Sequence, residues 1–102
     1  MNSLKVVVLL QDGKLVAQCL DYDIAVQAKN AKTLLKLLYL NLITRTARAL
    51  MVGAQPFAGM ARAPQAYWDM YDRAVRTSFE LDLELPPGTP PNARPPLEIR
   101  VA

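Results

Sequence analysis

The chain has 102 residues, of which 52% are hydrophobic and 21% charged, and its net charge is +3. That length holds one modest core and no second independent domain, and the composition is that of a globular protein. Histidine is absent and cysteine occurs once, which removes imidazole acid–base chemistry, the usual catalytic triads and a structural zinc site of the usual kind. The glycines Gly13, Gly53, Gly59 and Gly88 are isolated, so no phosphate-cradling loop is present. A non-enzymatic protein with no metal or cofactor is expected. The longest apolar stretch, Leu34 to Ile43, is broken by Lys36 and Asn41 and is far short of the roughly 20 residues a bilayer span needs. No leader pattern opens the chain, and a lone thiol suits a reducing compartment, so the cytoplasm is expected.

The N-terminal third reads as a meander of three antiparallel strands. Asp12-Gly13 between alternating apolar runs signals a two-residue hairpin, which pairs Gln11 with Lys14, Leu10 with Leu15, Val8 with Ala17 and Val6 with Cys19. The six apolar residues of the last three pairs are expected to face the core, with Cys19 acting as a small buried hydrophobe whose thiol pKa is raised. The opposite face pairs Leu9 with Val16, Val7 with Gln18 and Lys5 with Leu20, a mixed surface open to solvent or a partner. Asp21 and Asp23 are close enough to suggest a carboxylate pair, but Asp-Tyr-Asp between two strands is better explained as turn chemistry. Ile24, Val26 and Ala28 then alternate with Ala25, Gln27 and Lys29 as a third strand.

Asn30 is the expected N-cap of a long helix running to about Met51, with Gly53 as its stop. Leu35, Leu38, Leu42, Thr46 and Ala49 form the stripe that packs on the sheet, while Leu40, Ile43, Ala47, Leu50 and Met51 make a second apolar stripe that needs another cover. From Gly53 to Ala63 an ordered loop is anchored by Phe57. A second helix starts at Pro64 and carries Tyr67, Trp68, Tyr71, Ala74 and Val75 at helical spacing, a pattern that helical amphipathicity explains better than a base-stacking platform. Phe79, Leu81, Leu83 and Leu85 alternate with acidic residues as a further strand. Pro86 to Pro96 holds six of the eight prolines and reads as an extended arm, able to carry the terminal strand Leu97 to Val101 to its own sheet or to a neighbouring subunit.

Charge is uneven. From Ile24 through Trp68 there is no acidic residue, while Lys29, Lys32, Lys36, Arg45, Arg48 and Arg62 are all basic. Lys32 and Lys36 project almost opposite to Arg45 and Arg48 on the helical wheel, so a solvated surface is favoured over a single phosphate-binding patch.

The run Leu15-Val16-Ala17-Gln18-Cys19-Leu20-Asp21-Tyr22-Asp23-Ile24-Ala25, placed between a hairpin and a long amphipathic helix, resembles the N-terminal domain of HicB antitoxins over about the first half of the chain. With Tyr67-Trp68-Asp69-Met70 and the ending Leu97-Glu98-Ile99-Arg100-Val101-Ala102, the whole chain is similar to a group of uncharacterised bacterial HicB-like proteins. The resemblance implies a partial RNase-H-like or double-stranded-RNA-binding-like βββα core that, in HicB proteins, caps the small HicA toxin, an mRNA interferase. The turn here lacks the family's proline and glycine, and a second helix and proline-rich arm stand where HicB proteins carry a DNA-binding segment.

The expected protein is therefore a single α+β domain over residues 1–102. Residues 1–52 form the HicB-like core, 53–85 the loop, second helix and strand, and 86–102 the arm and terminal strand. A protein-binding, self-associating antitoxin-type module is expected, a homodimer or larger, with a HicA-like toxin or another small protein as partner. Its candidate interface is Leu40, Ile43, Ala47, Leu50, Leu97, Ile99 and Val101. The alternative is a nucleic-acid-binding module using Lys32, Lys36, Arg45 and Arg48.

Overall fold

The computed structural model describes residues 3–76 and 96–102. Strands β1 (Leu4–Gln11), β2 (Lys14–Cys19) and β3 (Ile24–Ala28) are followed by helices α1 (Ala31–Met51) and α2 (Gln65–Arg73), then by the short β4 (Val75–Arg76) and by β5 (Leu97–Val101). The architecture is α+β, with a mixed sheet in the order β3-β2-β1-β5-β4.

The hairpin has the register that Asp12-Gly13 dictates: Gln11 opposite Lys14, Leu10 opposite Leu15, Val8 opposite Ala17 and Val6 opposite Cys19. Both loop residues take the left-handed conformation, φ 51° at Asp12 and 76° at Gly13, as a twist-matched two-residue turn requires. β3 continues the meander, with Ala17 opposite Val26. The terminal strand pairs within its own chain. β5 lies parallel to β1, Val6 opposite Ile99, and the Leu4 amide donates to the Pro96 carbonyl at 2.9 Å.

The helix α1 begins where Asn30 caps it, the side-chain oxygen accepting from the Thr33 amide at 2.9 Å. Its buried stripe of Leu34, Leu35, Leu38 and Leu42 packs on Leu4, Val6, Val8, Ala17, Cys19, Ile24 and Ile99, with Phe57 of the following loop closing one end. Phe57 has φ 62°, a strained value for a bulky residue, and its ring stacks on Tyr22 with centroids 4.4 Å apart.

Three expectations need correction. Leu10 is 71% exposed and not part of the core: β5 flanks β1 only as far as Val8, opposite Val101, and α1 sits over β2 and β3, so among the described residues no element covers the strand end. Val75 is not on the second helix; Ala74 is extended, and Val75 opens β4 opposite Val101. The mixed outer face of the meander is covered within the chain, since Val7 and Leu20 are buried with Ala63 and Tyr71, flanked by Leu9, Tyr67 and Trp68. The expected strand Phe79 to Leu85 and the arm up to Pro95 lie outside the described residues.

Candidate functional site

The turn between β2 and β3 puts two carboxylates close together, and each already has a structural partner. Asp21 Oδ1 accepts from the Lys5 amide at 2.8 Å, and Asp23 Oδ1 accepts from Gln18 Nε2 at 2.9 Å. Gln18 is buried, and its amide also donates to the carbonyls of Cys19 and Ile24, at 2.9 and 3.4 Å. A buried amide that lost these acceptors would bear its full desolvation cost. The two aspartates are thus committed to holding the turn shut, the role their spacing suggests. Among the described residues, no three His, Cys, Asp or Glu side chains gather where they could hold a metal ion. Cys19 is fully buried, and desolvation is the first cause that raises its thiol pKa above the ordinary value.

The outer face carries an arrangement that the sequence pattern alone does not reveal. Arg62 stands over the Trp68 ring at 4.2 Å, Lys5 reaches Trp68 at 5.5 Å and Tyr71 at 5.9 Å, and Arg100 stands over Tyr71 at 4.2 Å. Cations and rings alternate across the loop, β1, α2 and β5. Arg100 also donates to the Tyr71 carbonyl at 3.0 Å, and the Tyr71 hydroxyl donates to Glu98 at 3.3 Å. The Lys5–Leu20 register and the spacing of Trp68 and Tyr71 foreshadow part of this strip. The positions of Arg62 and Arg100 depend on loop path and strand order, which no local pattern encodes. The chain's own cations stand over both rings, so the strip pins α2 and β5 onto the sheet. Among the described residues the buried Trp68 indole N–H has no hydrogen-bond partner.

The basic residues of α1 do not converge. Lys32, Lys36, Arg45 and Arg48 are all exposed; Arg45 donates to the Asn41 side chain at 2.8 Å and to the Met60 sulfur at 3.8 Å, holding it along the helix flank.

The candidate interface residues separate into two groups. Ile43 is only 2% exposed and Ile99 is also buried, so one chain hides them; Leu40, Ala47 and Leu97 are half-buried, and Leu50 and Val101 are exposed. Ile43 is therefore not a surface residue, and Ile99 is absorbed into the core by the pairing of β5 with β1. The helix nevertheless exposes large apolar groups: Leu37 at 42% and Met51 at 83%, with Leu50 and Val52 beside the latter.

No protein-family model, curated protein or solved structure matches the chain. Among the described residues, no helix is long and apolar enough to cross a membrane.

Proposed function

We propose that the chain is a non-enzymatic protein-binding module of the HicB antitoxin type, which self-associates and caps a small protein partner in the cytoplasm. The observation that carries this reading is the apolar surface left on α1 and at its C-cap, where Leu37, Leu50, Met51 and Val52 are exposed although both faces of the sheet already have their cover. Apolar surface of this kind usually marks an interface. The βββα order of the first 51 residues agrees with the HicB resemblance, and the structural use of Asp21 and Asp23 argues against acid–base or metal chemistry at that turn.

The alternative, nucleic-acid binding through Lys32, Lys36, Arg45 and Arg48, is supported by their exposure and by the absence of acidic residues from Ile24 through Trp68. Salt separates the two. Purified with its partner from the native cell and then reconstituted, the chain is expected to bind one small protein with an affinity that changes little between low and physiological salt. Binding to nucleic acid alone, falling by about a hundredfold over that range as four phosphate contacts require, would overturn the reading.

A further inference from the structure

Among the described residues the outer edge of β3 pairs with no other strand, which leaves it an unguarded pairing surface. The two-residue hairpin makes Gln11 and Lys14 exchange both backbone bonds, and antiparallel pairs then alternate; the Leu20 amide donating to the Lys5 carbonyl at 2.8 Å continues the same phase. β2 therefore offers Leu15, Ala17 and Cys19 to β3, where they meet Ala28, Val26 and Ile24. The backbone groups of Ala25 and Gln27 point the other way, out of the sheet. Natural edge strands are normally blunted by proline, a bulge or a charge. This one, Ile24-Ala25-Val26-Gln27-Ala28, has no proline and no charged residue, and its pairing with β2 runs without a bulge.

We propose that a second copy of the chain pairs antiparallel with this edge, joining the two sheets about a two-fold axis at Gln27. The proposal rests on the self-association read above and names its surface. Three observations favour a second copy over another occupant. First, the start of the edge is closed: the Asp23 amide donates to the Ala61 carbonyl at 2.8 Å, which leaves Ala25 onward free and centres the pairing on Gln27. Gln27 then meets Gln27 of the second copy, and amide side chains satisfy each other as donor and acceptor.

Second, the helices fit. α1 packs over β2 and β3; with strands about 4.8 Å apart, it stands about one strand spacing from the axis, so two copies bring their helices to about 10 Å, the ordinary packing distance. Third, the exposed leucine is in the right place. Arg45 reaches Met60, and the neighbouring Ala61 holds Asp23 at the start of β3, so the Arg45 flank of α1 overhangs this edge. Leu37 and Asn41 lie on that flank, two turns and one turn before Arg45. At about 3.3 Å per strand residue and 1.5 Å per helix residue, the level of Gln27 falls roughly seven residues into the helix, at Leu37. Pairing at β3 thus brings Leu37 of each copy to the same axis and removes it from water.

Light scattering on the full chain, across a dilution series, tests this. The expected wild-type mass is twice 11.3 kDa. Gln27→Pro removes an amide that points out of the sheet, a position where an edge strand tolerates proline, so it should give a folded monomer with a thermal midpoint close to wild type. Leu37→Glu should also give a monomer, whereas Val75→Ser, at the opposite edge, should stay dimeric. If Gln27→Pro fails to fold, Gln27→Lys replaces it by setting two ammonium groups face to face. A wild-type monomer would overturn both this proposal and the self-association beneath it. A dimer that survives folded Gln27→Pro or Gln27→Lys, or one that Val75→Ser dissociates, would overturn only the placement at β3.

Discussion

The two faces of the sheet are covered by different materials. Under α1 the layer is mostly aliphatic, with Phe57 closing one end: Leu38 and Leu42 have no exposure, and their neighbours include Val6, Ala17 and Cys19. Under α2 the layer is small, centred on Val7, Leu20, Ala63 and Tyr71, and its rim is the alternating strip of Arg62, Trp68, Lys5, Tyr71 and Arg100. A long helix with a broad apolar stripe supplies its own driving force by burial. A nine-residue helix cannot, and it borrows cation–π and hydrogen-bond contacts from three other elements. The inner face should therefore carry most of the stability, and the outer face should yield first.

The largest expected effect is on the inner face. Leu38→Ala leaves a cavity among residues that cannot collapse into it and should cost about 3 to 4 kcal/mol, read from urea unfolding. On the outer face Trp68→Ala should cost less, about 2 kcal/mol, because the ring is only half-buried and its cation–π contacts contribute about 0.5 to 1 kcal/mol each. Trp68→Phe should cost less again, since the indole N–H it removes has no partner among the described residues. A loss at Trp68 equal to that at Leu38 would show that the two layers share the load.

A smaller effect sharpens the contrast through pH. The Cys19 thiol is raised above its ordinary 9.0 in the folded chain, first by desolvation. As pH climbs past 9.0 the unfolded chain loses this proton before the folded chain does. The folded state then holds more protons, and stability falls with rising pH. Stability from this group is complete below pH 9.0 and is lost as pH rises towards the folded value. Cys19→Ala should remove that part of the alkaline slope in a stability-against-pH series, and an unchanged slope would place the titration elsewhere.

Much of the inner layer was legible in the chain. Asp12-Gly13 specified the hairpin register, and Asn30 specified the start of α1, because turn and cap chemistry act within a few residues. What was not legible depends on partners distant in sequence. The alternation at Leu97 to Val101 announces a strand, but only the folded topology makes it the parallel neighbour of β1. Ile43 belongs to a stripe that a helical wheel leaves open, yet it is buried. Val75 fits helical spacing and becomes a strand residue because β5 offers it backbone partners. The turn role of Asp21 and Asp23 could be inferred; the buried Gln18 amide that engages Asp23 could not, since an alternating pattern places it on a mixed face without saying what covers it.

The central claim, a protein-binding module that associates with itself through apolar and backbone contacts, is tested most directly by the solution mass of the purified chain at low and at high salt. A dimer of twice 11.3 kDa is expected at both, because contacts made by β3 and Leu37 neutralise no phosphates and carry little net charge. A chain that remains at 11.3 kDa across the dilution series, or a dimer held only at low salt, would contradict it.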